Sequence, residues 1–143
     1  MPSATAEVRG HPGDTQVEKG SLWSDGSIDG RDGAAVTLKA GADLTELTLT
    51  IRVVRTDGLT DRGGVHDAPA ADVTATVEKQ AGALLYHFTL RKGATLKAGT
   101  YRFGARYTYE GDSRDAGDDT YEAFAFSVER KRLHIYGNFF PAD

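Results

Sequence analysis

The sequence predicts an all-β protein, an antiparallel sandwich of about seven to nine strands. Three observations carry that reading. Apolar and polar residues alternate in several runs. The clearest is TELTLTIRVVR at 45–55, where Leu47, Leu49, Ile51 and Val53 point one way and Glu46, Thr48, Thr50 and Arg52 the other. Glycine-containing turn signals recur at intervals of roughly 8–12 residues. No segment sustains a helical period. Strand and loop lengths are uneven, which disfavours an up-and-down barrel.

The elements follow in order. Residues 1–20 are polar and read as a flexible lead or a first edge strand, and residues 21–143 read as a single sandwich domain. Ser21, Leu22 and Trp23 form a short apolar patch. SDGSIDGRDG at 24–33 holds three Asp-Gly pairs and reads as a loop, because Gly takes positive φ and Asp bonds its own backbone. AAVTLK at 34–39 is a strand, and the run at 45–55 is the next. Residues 56–72, with Gly58, Gly63, Gly64 and Pro69, read as a long loop. VTATVEK at 73–79 and LLYHFTL at 84–90 form a hairpin about Gln80, Ala81 and Gly82, with Leu84, Tyr86, Phe88 and Leu90 on one face. Residues 100–110 alternate Tyr101, Phe103, Ala105, Tyr107 and Tyr109 on a shared face. The run at 120–130 places Phe124, Phe126 and Val128 on one side and Tyr121, Ala123 and Ala125 on the other. LHIYGNFF at 133–140 is the last strand. The pentapeptide Thr-Leu-Lys-Ala-Gly occurs at 37–41 and at 95–99 and reads as a reused strand–turn solution.

Composition bounds the function. A chain of 143 residues, 39% hydrophobic and 27% charged, can build a core without staples and is not disordered. A net charge of -4 argues against general nucleic-acid affinity, which needs clustered Lys and Arg. The absence of cysteine excludes disulfides, thiolate metal sites and cysteine nucleophiles. No apolar run is long enough to span a membrane, and the first residues lack the apolar region of a signal peptide. Arg outnumbers Lys 11 to 6 and Asn138 is the single Asn, a bias that points to a high-GC genome.

Candidate chemistry is sparse. Gly99 two residues before Tyr101, at a strand start, fits a tyrosine corner, in which the phenol bonds backbone a few residues upstream. All Tyr and Phe lie between 86 and 140, and most belong in a core. Trp23, Tyr109 and Tyr121, beside loops or at strand ends, are the aromatics expected at the surface. Together with Arg114 they form the candidate ligand-binding set. Asp25, Asp29 and Asp32 make one acidic cluster. Asp112, Asp115, Asp118 and Asp119 make a second, the candidate Ca²⁺ site, though neither follows EF-hand spacing. His11, His66, His87 and His134 are scattered without ligand spacing, and His87 is expected to face outward or into the second layer. Arg130, Lys131 and Arg132 read as a solvated turn. No carboxylate pair, GxSxG or phosphate loop stands out, so no catalytic residue is assigned and the protein is expected not to be an enzyme.

The runs LWSDGSIDGRDG, TELTLTIRV, AGTYRFGARYTY and RDAGDDTY resemble small secreted or cell-surface domains of Streptomyces-type actinobacteria. More broadly they resemble Ig-like or carbohydrate-binding-module-like β-sandwiches. That resemblance implies an extracellular or cell-surface setting, and the alternative is a cytoplasmic one, with which the lack of cysteine is equally compatible. It also implies a non-catalytic module that recognises a glycan or a protein partner, with contact through loops at 24–33, 56–72 and 110–119. The alternative is a structural domain that pairs with another chain through a sheet edge.

Overall fold

The computed structural model of the chain describes residues 16–19, 22–28, 33–55, 58–69, 71–108 and 119–138. They build an all-β sandwich of two five-stranded antiparallel sheets. In the first sheet β1 (Gln16–Lys19), β2 (Leu22–Ile28), β3 (Gly33–Ala40), β8 (Gly99–Thr108) and β5 (Thr60–His66) lie side by side in that order. In the second the order is β10 (Arg132–Asn138), β9 (Thr120–Ser127), β4 (Leu44–Val54), β7 (Ala83–Leu90) and β6 (Val73–Lys79). Hairpins join β6 to β7 and β9 to β10, whereas the central pairs β3–β8 and β4–β9 join segments far apart in sequence.

The predicted alternation of β4 and β7 holds. Leu47, Leu49, Ile51 and Val53 face Leu84, Tyr86, Phe88 and Leu90 along the inner side of the second sheet, and all are buried. Opposite them, the first sheet contributes Leu22, Val36, Leu38, Phe103, Ala105 and Tyr107. Each Leu, Ile, Val or Phe among them, removed from water, contributes roughly 1.5–3 kcal/mol.

Two tyrosines tie the sheets together. Tyr86 and Tyr121 flank Ile51 on neighbouring strands. The Tyr86 hydroxyl donates to the Arg106 carbonyl of β8 at 3.0 Å, and the Tyr121 hydroxyl lies 2.8 Å from the Ser24 hydroxyl of β2. Burial, and secondarily the nearby Asp61 carboxylate, pushes the Tyr86 phenol far above its ordinary pKa. The corner expected at Tyr101 is present: its hydroxyl donates to the Lys97 carbonyl at 2.7 Å. Just upstream, Leu96 and Leu44 exchange two backbone hydrogen bonds of 2.8 Å, and Asp43 accepts from the Ala98 N–H.

Three sequence expectations are corrected. The segment 24–33 is not all loop, because Ser24–Ile28 continue β2 and pair with β3. Ser24 and Gly26 are buried on its inner side, so Asp-Gly at 25–26 here lies within a ladder instead of a turn. The segment 56–72 contains β5, an edge strand whose register shifts between Asp61 and Gly64 about the positive-φ Gly63. Tyr121, expected at the surface, is 1% exposed. The reason is register. Leu49 pairs with Ala123 and Ile51 with Tyr121, so the inward parity of β4 carries Tyr121, Ala123 and Ala125 into the core. Room for the ring comes from Gly137, where a Cβ would sit 2.7 Å from the Tyr121 hydroxyl oxygen.

Candidate functional site

The same register turns Phe124, Phe126 and Val128 outward. Phe124 is 50% exposed, beside Thr48 of β4 on one side and His134 of β10 on the other. The His134 ring stacks on it with centroids 4.2 Å apart and planes 5° from parallel. His134 Nε2 lies 2.7 Å from a Glu122 carboxylate oxygen, which fixes the ring's orientation. Two residues along, Phe126 is half-buried, with the Arg132 guanidinium 5.4 Å from its ring centroid in cation–π geometry. Arg132 thus opens β10, while Arg130 and Lys131 form the solvated turn that sequence anticipates. Arg130 takes a left-handed φ of 63°, and its N–H bonds the Ser127 carbonyl.

Cross-strand register lays these groups out in rows. One row reads His134, Phe124, Thr48, Thr89 and Thr74 across the whole sheet. A parallel row reads Arg132, Phe126 and Glu46. A third holds Glu122, Thr50, His87 and Thr76. His87 faces outward as expected, with Nδ1 3.0 Å from the Thr50 hydroxyl and Nε2 3.2 Å from Glu78. Hydrogen bonds from Gln80 and His87 hold the Glu78 carboxyl below its ordinary pKa. Between the first two rows lie two depressions. One, of about 280 Å³, is lined by Phe124, Phe126, Arg132 and His134 with Glu46 and Thr48. The other, of about 570 Å³, continues over Thr48 and Glu46 to Thr89, Lys92 and Gly93.

The predicted site residues do not gather here. Trp23 is half-buried on the outer face of the first sheet, opposite Lys39 of β3, and Tyr121 is inside the sandwich. The two therefore lie on different layers. Asp119 is fully buried, and its Oδ1 accepts the Val54 N–H at 2.8 Å, extending the β4 edge of the ladder. Tyr109, Asp112, Arg114, Asp115 and Asp118 lie outside the described residues. Among the described residues no cluster of three or more His, Asp or Glu side chains is arranged to hold a metal ion. The first sheet has its own shallow groove of about 210 Å³, floored by Ala35 and Gly104 between Val65, Arg102 and Arg106. Its lining also includes His66, whose half-buried imidazole lies 6.1 Å, centroid to centroid, from both Phe88 and Phe103. Among the described residues no helix is long and apolar enough to cross a membrane.

Sequence reasoning missed Phe124, Phe126, Arg132 and His134 as a group. Their signal was present: TYEAFAFSV is apolar at both parities, so one set of side chains had to be outside.

No family model matches the chain, and no curated protein sequence matches it. Among solved structures it is similar to a cohesin module from a Clostridium perfringens family 33 glycoside hydrolase. The identity is 7% and the TM-score 0.49, over 96% of this chain and 94% of that one. It is also similar to a non-cellulosomal cohesin from the hyperthermophilic archaeon Archaeoglobus fulgidus, with 7% identity and a TM-score of 0.44, over 82% of this chain and 85% of that one. At such values the likeness concerns the course of the chain and says nothing about a partner.

Proposed function

We propose that the protein is a non-catalytic recognition module, acting outside the cell or at its surface, that takes a glycan or protein partner on the outer face of its second sheet. The observation that carries this reading is Phe124. It is a large apolar side chain left half in water in the middle of a sheet face, backed by a stacked imidazole and bordered by Phe126 under Arg132. Covering the exposed half of that ring contributes about 1 kcal/mol to association. The flanking Glu, Thr and Arg groups supply orientation. Both His–Glu pairs are solvent-accessible on the sheet face, where water screens their chemistry, which supports binding over catalysis. Pairing through a sheet edge is the weaker reading. The edge strand β5 is broken by a bulge, and the edge strand β6 carries exposed Glu78 and Lys79, both features that discourage strand addition.

The test is affinity capture. Immobilised protein is incubated with envelope and culture fractions of cells that produce it. Phe124→Asp is expected to lose the bound material while keeping its melting temperature, and Lys39→Ala, on the opposite sheet, is expected to retain it. Equal retention by both variants would remove this face as the contact surface.

A further inference from the structure

We propose a second binding site, on the outer face of the first sheet and independent of the contact face above: a groove that takes a small carboxylic acid with an apolar body. Register builds it. Ala35, Gly104 and Val65 pair in one row across β3, β8 and β5. The neighbouring outward pairs are Thr37 with Arg102 on one side and Gly33 with Arg106 on the other. Small residues thus leave a furrow of about 210 Å³ in mid-sheet, with an arginine at either end and Val65, 49% exposed, along its edge-strand side. Strand geometry sets each arginine Cα about 7 Å from that of Gly104. Close backbone packing keeps both glycines bare. A Cβ on Gly33 would overlap the Ala105 carbonyl, and one on Gly104 would press on Val65 at 3.2 Å.

Charge selects an anion. Arg106 is exposed, and among the described residues its guanidinium has no ion-pair or hydrogen-bond partner. Arg102 adds a second positive charge to the lining. Asp67, the carboxylate of the lining, is engaged with the β8 backbone. Its Oδ1 accepts the Arg102 N–H at 2.8 Å, and its own N–H donates to the Arg102 carbonyl at 3.2 Å. The lining is therefore left with one net positive charge, which a single carboxylate balances and a dianion does not. The guanidinium fork also matches a carboxylate's two oxygens. Apolar surface selects the body of the ligand, since Ala35 and Val65 offer carbon to a short aliphatic or aromatic group. A volume of 210 Å³ equals that of about seven water molecules, which suits a small acid and not a polymer. A second sign is independent of charge. His66 lines the same groove, and its buried Nδ1 has no hydrogen-bond partner. Buried polar atoms are nearly always satisfied, so an unmet one in the wall of a groove also points to a polar ligand.

Amide chemical shifts of the isotopically labelled protein test this. Benzoate and hexanoate are the probes, benzamide and hexanamide their uncharged counterparts, and sulfate an anion with no apolar body. At least one of the two acids is expected to shift Ala35, Val65, Gly104 and Arg106, with its amide counterpart weaker by about ten-fold or more. Arg106→Gln is expected to lose roughly ten-fold in affinity for that acid. Lys39→Ala removes a cation from the same sheet face outside the groove and is expected to leave the affinity unchanged. The shift dispersion of each variant verifies its fold, and the comparison of acid with amide needs no variant at all. Silence of these residues toward both acids at tens of millimolar, or equal affinity for acid and amide, overturns the inference. So does an equal loss in the two variants, which would reduce the effect to general surface charge, or sulfate binding as tightly as the acids, which would leave an adventitious ion only.

Discussion

Tyr121 owes its position to two small neighbours. Ser24 offers a hydroxyl from the opposite sheet, and Gly137 offers the absence of a side chain on the adjacent strand. Removing the Tyr121 hydroxyl (Tyr121→Phe) or the Ser24 hydroxyl (Ser24→Ala) is expected to cost about 1–2 kcal/mol each. A double-mutant cycle by urea denaturation is expected to return a coupling of about 1 kcal/mol, since the pair is buried and direct. Strict additivity would mean that the contact contributes nothing. At this scale the sequence was partly legible. The Tyr101 corner could be read from Gly99 and a strand start, because its hydrogen bond is local. The Tyr121 tie could not, because both of its partners are distant in sequence and neither Ser nor Gly advertises a partner.

Among the elements, β4 and β7 declare themselves because each has one apolar and one polar face, so period two alone decides which side is buried. In β9 that test fails. Alanines and Tyr121 occupy one parity and phenylalanines the other, and a rule that puts the larger apolar groups inside selects the wrong face. The deciding information is the β4 partner: Leu47 and Leu49 pair with Ala125 and Ala123, and Ile51 pairs with Tyr121, whose ring fills the slot over Gly137. The same pairing hid the candidate site. β2 and β5 escaped because Asp-Gly and Gly-Gly, strong turn formers in isolation, sit in ladders here. Gly137→Ala tests the element directly. Its Cβ would lie within 3.0 Å of the Tyr121 hydroxyl oxygen and two of its ring carbons, and the substitution is expected to cost roughly 1–3 kcal/mol in urea unfolding. Tyr121→Leu in the same chain is expected to recover part of that loss, and no recovery would place the clash elsewhere.

For the molecule as a whole, stability should fall at alkaline pH through the buried phenol of Tyr86 and the partly exposed one of Tyr101. The Tyr86 pKa is raised by burial first and by Asp61 second, and that of Tyr101 by burial with Asp43 and Asp67 behind it. A phenol whose folded pKa lies above its unfolded value of about 10 contributes fully below that pH, and the contribution is lost as pH rises toward the folded value. The urea midpoint is therefore expected to hold to about pH 9–10 and then decline. Tyr86→Phe loses about 1 kcal/mol at neutral pH with its bond to Arg106 but is expected to decline less steeply above pH 10. An unchanged alkaline slope would show that Tyr86 is not the titrating group. The global architecture was the most legible level of all, since a sandwich follows from the number of alternating runs and the turns between them. The order of strands was not, because β3–β8 and β4–β9 join segments that no local signal connects.

The two-sided apolarity of β9 has a kinetic consequence. A strand that is greasy at both parities can dock against β4 one residue out of step and still bury carbon, which a strand with a polar face cannot do. During folding the chain must therefore choose between two alignments that both bury apolar side chains, and period two alone does not choose for it. The choice falls to the pocket over Gly137. It admits the Tyr121 ring, whereas a slipped strand would bring Thr120 or Glu122 to that place. One absent methyl group thus acts as a proofreading device for the centre of the sheet.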